Sequence, residues 1–442
     1  MKTRTARLLV VALAAAASWQ CSRPETATPP SSTRDTSSAL QTAVKAKSAA
    51  FVDESDRGRH SWHEAQRFYK QNGYQLAWSD GVTPRSTIDA LLAAVRAADQ
   101  EGLEPAAYHA DDLDAARRAS VSAEQTVALD VRATYTYLRY AADLRLGTID
   151  PEDLNSEWHA SPRTLYERDA LQAGLGGNNI AESLARIAPH APQYLGLKHQ
   201  LALARQKQDP AVIEQITMNM ERWRWLPDDL GTRYLMVNIP AFRLDAIENG
   251  KSVLDMKVVT GKKTSPTPVL ADRMTTVVFS PYWNIPRDIV QKEILPKVAK
   301  DPGYLAKNNM EADDKGNYRQ LPGKGNSLGQ VKFLFPNHFN VYLHDTPAQS
   351  LFDRIERDFS HGCVRLDEPM RLAQYVLRDQ PEWTDEKIKA AMAAGVEQQV
   401  AMKQPLPIYL VYFTAWENNG ALETVPDVYA IDRRHIAATS DK

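Results

Sequence analysis

Cys363 and His344 are the residues whose types and spacing suit covalent chemistry. The chain has two cysteines, and the other, Cys21, ends an apolar N-terminal stretch that reads as an export signal. If that stretch is cleaved or Cys21 is lipidated, the folded part keeps one thiol, which cannot close an internal disulfide. A lone thiol in an exported protein needs another reason to be there, and its flanks supply one. Ser360-His361-Gly362 precedes it and Val364-Arg365 follows, a largely polar or small setting that argues against an apolar core slot. His344 lies 363 − 344 = 19 positions upstream, at the end of the apolar run Val341-Tyr342-Leu343. A thiolate nucleophile, an imidazole base and backbone N–H groups at Gly362 and Cys363 are the parts of acyl transfer through a thioester.

In this reading His344 takes the Cys363 proton or forms an ion pair with the thiolate, while His361 and Gly362 shape the oxyanion hole. Arg365 offers a fixed cationic fork for a substrate carboxylate. Tyr342, Trp283, Asn337 and Ser360 are candidate substrate contacts, with core packing the competing role for Tyr342. Asp345 is expected to be a solvated turn residue without a side-chain role. His338 and His344 lack a Cys, Asp or Glu set at ligand spacing, and Gly323-Lys324-Gly325 does not join a strand to a helix. Neither a metal nor another cofactor is therefore expected.

The elements that must position these residues are β-rich. After Pro227 the apolar period is 2, giving strands at 234–239, 243–247 and 254–259, with Asn249-Gly250 as a tight hairpin turn. Segments 275–279, 331–335, 339–343 and 406–414 add more, and helices at 370–377 and 385–394 flank a closed or nearly closed sandwich. Residues 285–324 interrupt the pattern with a helix at 287–299 and loops at 301–303 and 308–318, an insert of lid character. Upstream, 61–205 reads as helical: Ile88, Leu91, Leu92 and Val95 make one apolar face, and Gly147 and Pro151 stop a helix over 127–146. Trp62, Tyr69, Tyr74 and Trp78 are expected in a core rather than stacked on sugars.

The fold class is thus α+β and multidomain: a signal peptide at 1–20, a disordered linker at 21–50, a helical domain at 51–210, a β-rich catalytic domain at 211–430 and a tail at 431–442. Lys2, Arg4 and Arg7 precede the apolar segment 8–17 of the signal, and Ala15-Ala16-Ala17 offers a cleavage site, so Cys21 as a lipid-bearing tether is the competing outcome. The net charge is −2 with no basic block, so nucleic acid is not an expected partner.

Ser360-His361-Gly362-Cys363 with His344 upstream resembles the L,D-transpeptidases, whose YkuD-type catalytic domain carries a histidine, a similar gap and Ser/Thr-His-Gly-Cys. Val258-Val259-Thr260-Gly261 with Thr267-Pro268, Ser280-Pro281-Tyr282-Trp283-Asn284-Ile285-Pro286, Leu328-Gly329 and Phe335-Pro336-Asn337 agree in order. With Arg222-Trp223-Arg224-Trp225-Leu226-Pro227, the resemblance spans about residues 213–430 and is similar to the larger Gram-negative branch. Gly102-Leu103 and Tyr108 look like that branch's N-terminal scaffold domain; its small peptidoglycan-binding module would not fit between 167 and 210. The resemblance implies a periplasmic enzyme in which Cys363 attacks the diaminopimelate carbonyl of a tetrapeptide stem and expels D-alanine, with the base oriented by a backbone carbonyl. An acceptor amine, from a second stem or an outer-membrane protein, would then resolve the thioester. The competing readings are an L,D-carboxypeptidase or endopeptidase on the same fold, and a catalytically silent wall-binding protein.

Overall fold

A computed structural model describes residues 31–151, 158–159 and 163–440, so the expected signal peptide and Cys21 lie outside the described residues. The alternating pattern of the C-terminal half closes into a ring of eight strands. They are β1 (Arg233–Asn238), β2 (Arg243–Glu248), β3 (Lys251–Gly261), β4 (Val269–Phe279), β5 (Val331–Leu334), β6 (Leu343–His344), β7 (Val364–Leu366) and β8 (Gln398–Val411). Neighbours run β5-β6-β7-β3-β2-β1-β8-β4, and β4 pairs back onto β5. The β6–β7 and β8–β1 pairs are parallel. Closure leaves the ring no free edge.

Period-2 burial divides each strand between two cores. On β1, Leu235 and Val237 face the barrel interior with Leu244, Val258 and Phe333, whereas Tyr234 packs outward with Tyr194, Leu197 and Trp223. Asn249 and Gly250 turn β2 into β3 with φ of 49° and 78°, the left-handed pair that a two-residue hairpin of this hand requires. Helices Pro369–Leu377 and Asp385–Ala393 cover the barrel through Leu372, Val376 and Ile388, and Trp383 between them packs against the same core.

The helical domain is organised on helix Ala123–Leu146, capped by Ser122 at its start and by Gly147 at its end. Trp62, Tyr69 and Trp78 are fully buried against it, and Tyr74 packs partly there, so these aromatics are core. The linker expected over 21–50 is corrected across Ser31–Lys45, which is a helix. Its Ser/Thr-rich composition conceals Leu40 and Val44, one turn apart, and both are buried against the domain. Helix Pro192–Gln206 leaves that core and joins the barrel's outer face, so the two domains run into each other without an intervening module. Arg224, fully buried, bonds Glu221 at 3.0 Å and the Tyr194 hydroxyl at 2.9 Å, while Glu221 accepts from the Ile149 N–H at 3.1 Å. The tail expected at 431–442 begins as helix Ile431–Ser440, and its Asp432 pairs with buried Arg222 and accepts from the Thr414 hydroxyl at 2.8 Å.

The insert is a small folded layer. Strand Trp283–Ile285 pairs with Tyr318–Gln320, which pairs with Met310–Ala312. The expected loop at 308–318 is therefore largely a hairpin, closed where the Asp313 carboxylate accepts the Lys315 and Asn317 N–H groups at 2.9 and 2.8 Å. The expected helix runs from Arg287 to Lys300 but widens into a five-residue π turn at Val290–Ile294. Pro296 explains the widening: it has no N–H to offer the preceding turn, and its ring crowds the carbonyl four residues back. The strand expected over 339–343 shrinks to β6, because Asn340 turns the chain with a φ of 56°.

Candidate active site

The register of β6 and β7 brings the two halves of the motif together: Leu343 lies opposite Val364 and His344 opposite Arg365. One step earlier the Val364 N–H donates to the Tyr342 carbonyl at 3.1 Å, which sets Cys363 beside Tyr342. The loop carrying Cys363 is wound on its own polar groups. The Ser360 hydroxyl donates to the Cys363 carbonyl at 2.5 Å and accepts from the Gly362 N–H at 3.1 Å. Gly362 has a φ of 112°, which a side chain would strain, and its carbonyl accepts from the Thr267 hydroxyl at 2.8 Å. Thr267 in turn accepts from the Gly261 N–H at 2.8 Å, and the Tyr429 hydroxyl donates to the Gly261 carbonyl at 2.5 Å.

Half-buried Cys363 points its Sγ at the Asn340 carbonyl, 3.7 Å away. Burial pushes the thiol up to about 11, against the opposing pull of the Tyr342 backbone N–H, the Tyr342 hydroxyl and the Arg365 charge. The Tyr342 hydroxyl is raised by burial and by the sulfur. Its ring stands edge-on to the His344 ring with centroids 5.8 Å apart. His344 is 4% exposed, and its Nδ1 lies 2.5 Å from the Asp345 carbonyl, a contact that fixes Nδ1 as the protonated nitrogen and leaves Nε2 as the base. Burial first, then the Arg365 charge, lowers the imidazole to about 3, so it is neutral at ordinary pH.

Arg365 is half-buried. Its Nε is fully enclosed with no hydrogen-bond partner, and no carboxylate pairs with it among the described residues. Burial lowers its pKa, opposed by the sulfur of Cys363. His361 has its Nε2 at 2.7 Å from Glu293 of the π turn and 3.2 Å from Lys262 Nζ.

Cys363, His344, Tyr342, Arg365, His361, Gly362 and Ser360 thus converge, but five assignments change. The Gly362 N–H is already bonded to Ser360, which leaves the Cys363 N–H, unbonded among the described residues, as the oxyanion donor. Ser360 is 2% exposed and braces the loop rather than facing a substrate. Asn337 spends its amide on the chain around it, donating to the Phe335 and Val341 carbonyls and accepting from the Phe339 and Val341 N–H groups. Trp283 packs with the apolar cluster of the insert, Ile285, Ile289, Val290 and Ile294. Asp345 is not solvated: at 8% exposure it clasps the preceding turn, accepting from the Gln330 and Thr346 N–H groups at 2.8 and 2.7 Å. Sequence reasoning missed Tyr429, Asn340, Lys262 and Glu293. Only Thr267 had a visible signal, its place beside Pro268 after Gly261.

Residues 232–388 match the L,D-transpeptidase catalytic domain (YkuD), and residues 63–201 match a scaffold domain. A Haemophilus influenzae protein with a provisional L,D-transpeptidase name is 32% identical over 242 residues, 50% of this chain and 49% of that protein. The chain therefore spans about half the length of this curated relative. Among solved structures, the L,D-transpeptidase from Mycobacterium smegmatis is similar at 15% identity, over 41% of this chain and 58% of that one, with a TM-score of 0.24. The catalytic domain from the E. faecium L,D-transpeptidase acylated by ertapenem is similar at 13% identity, over 41% and 97%, with a TM-score of 0.20. By its two matched domains the chain carries an L,D-transpeptidase catalytic domain (YkuD) behind a scaffold domain.

Proposed function

We infer that this protein is an exported, periplasmic peptidoglycan transpeptidase in which Cys363 forms a thioester with the diaminopimelate carbonyl of a tetrapeptide stem. The observation that carries this reading is Arg365: a half-buried guanidinium with an enclosed, unbonded Nε and no anionic partner among the described residues, two residues past the only thiol there. An unpaired cation in such a place is costly unless a substrate anion completes it, and a diaminopimelate stem brings a carboxylate. At rest the proton stays on sulfur, since the thiol sits at about 11 and the imidazole at about 3. Proton transfer to His344 Nε2 therefore accompanies attack on the carbonyl rather than preceding it, and no standing ion pair is formed. The S–C bond forms as the carbonyl oxygen takes negative charge facing the Cys363 N–H. Collapse of that intermediate releases D-alanine, whose amine takes the proton from His344. An acceptor amine, from a second stem or an outer-membrane protein, then attacks the thioester carbonyl; His344 Nε2 takes its proton and returns it to the sulfur as the S–C bond breaks. Water at this step would make the protein a carboxypeptidase.

Muropeptide mass spectrometry with purified protein and tetrapeptide stems tests the assignment. Wild-type protein should give crosslinked product and an acyl-enzyme mass on Cys363. Cys363→Ala should give neither while melting within a few degrees of wild type; turnover by Cys363→Ala would remove the mechanism.

A further inference from the structure

Resting on the transpeptidase reading, we propose that Glu293 and Lys262, on either side of His361, form a subsite for a zwitterionic acceptor: Glu293 holds its ammonium and Lys262 its carboxylate. Both groups stand within reach of one ring nitrogen, Glu293 Oε1 at 2.7 Å and Lys262 Nζ at 3.2 Å from His361 Nε2. That nitrogen cannot donate to Glu293 and accept from Lys262 at the same time, so one of the two is always short of a partner. Lys262 has no carboxylate partner among the described residues, and the Glu293 side chain is 41% exposed with His361 as its only ion-pair partner there. An anion and a cation, incompletely satisfied and both against the histidine two residues before the nucleophile, complement an amino-acid centre that carries both charges on one carbon. The free end of a diaminopimelate side chain is such a centre.

The placement of Glu293 is independent support. It lies on the π turn Val290–Ile294, a helix distortion of the kind that gathers at functional sites, and that turn carries it from the insert to the catalytic loop. Lys262 directly follows β3 of the barrel, and its backbone N–H is tied to the Ser360 carbonyl at 2.9 Å. The insert thereby contributes one half of the acceptor site and the barrel the other.

The test is steady-state crosslinking with two acceptors, a diaminopimelate tripeptide and the same peptide with its side-chain carboxylate amidated. In wild-type protein, amidation should raise the acceptor KM about tenfold, the worth of one hydrogen bond to a charged group. Lys262→Met should erase that discrimination. Glu293→Gln should raise the KM for both acceptors about tenfold while moving the donor KM less than twofold. Lys262→Arg and Glu293→Asp, which keep the charges, should restore much of each effect. Discrimination that persists in Lys262→Met, or an unchanged acceptor KM in Glu293→Gln, overturns the proposal. So does loss of acylation and crosslinking together in these variants with no rescue by the charge-keeping ones, because the pair would then be a strut. Wild-type protein that only hydrolyses its donor would remove the transpeptidase reading itself, and this subsite with it.

Discussion

Replacing Tyr342 with Phe isolates the contribution of one hydroxyl to the nucleophile. Tyr342 acts on the Cys363 sulfur through both its backbone N–H and its hydroxyl, and only the second is lost in the variant. A hydrogen bond to a charged group is worth about 1.5–3 kcal/mol, so the thiol should rise by roughly one to two pKa units. With the wild-type thiol at about 11, about one molecule in a thousand holds a thiolate at pH 8. The variant should then react with iodoacetamide roughly 10- to 100-fold more slowly at that pH. The ring keeps its edge-on contact with His344, so the melting temperature should move by only a few degrees. Alkylation rates followed by intact-protein mass spectrometry from pH 7 to 10.5 give the profile. If Tyr342 only walls the site, the two profiles superimpose, and that result would refute the reasoning.

Arg365→Met should raise the donor KM at least tenfold and leave stability equal or higher, because the variant removes a half-buried charge that no carboxylate pairs among the described residues; melting curves beside donor titrations check both. His344 is held at about 3 against its usual 6.5, so the unfolded chain takes up a proton that the native protein refuses. The stability this group contributes should be complete above pH 6.5 and be lost, by up to about 1.4 kcal/mol per pH unit, as the pH falls toward 3; urea unfolding at pH 5 and 7 should show a smaller difference in His344→Gln. Carbapenems should acylate Cys363, as the family resemblance implies, and intact protein that shows no adduct after meropenem treatment would count against a competent site. Trimming the hairpin tip at 313–316 should lower crosslinked product relative to hydrolysed stems if the insert excludes water, whereas removal of 302–315 also deletes helix Tyr304–Lys307 and strand Met310–Ala312 and should cost both products; an unchanged ratio in the tip variant discards the lid.

What the sequence made legible was what repeats with a short period or lies within a few residues. Alternation on β1, β2 and β3 was visible because each strand buries one face in the barrel, and the Asn249-Gly250 turn because its backbone demands those residues. The motif disclosed Cys363 and His344 because nucleophile and base need particular side chains. The roles of Ser360 and Asn337 were not legible: both are polar residues beside the site, and only geometry shows that their hydrogen bonds turn inward. Glu293 and Tyr429 lie 68 and 168 residues in sequence from His361 and Gly261, the groups they contact, so no local pattern could pair them. The helix expected over 287–299 passed over Pro296, and the π turn before it, which carries Glu293 to the catalytic loop, needed the fold.

The arrangement around Cys363 also accounts for where the chain invests in rigidity. A neutral thiol beside a neutral, enclosed imidazole and an unpaired guanidinium is a set of groups that water would relax if the loop could open. It is held by bonds that recruit distant segments: Thr267 from the start of β4's approach, Tyr429 from beyond β8, and Asp345 across the 328–330 turn. Tyr429 in turn is followed by helix Ile431–Ser440, whose Asp432 is locked to Arg222, and Arg222 shares helix Pro210–Arg224 with the buried Arg224 and Glu221 that meet the scaffold domain. Polar contacts joined by short stretches of backbone therefore lead from the scaffold through the C-terminal helix to the catalytic loop. A scaffold joined in this way is part of what holds the reactive groups in place, so a barrel cut away at residue 210 should keep its strands and lose order first at residues 360–363.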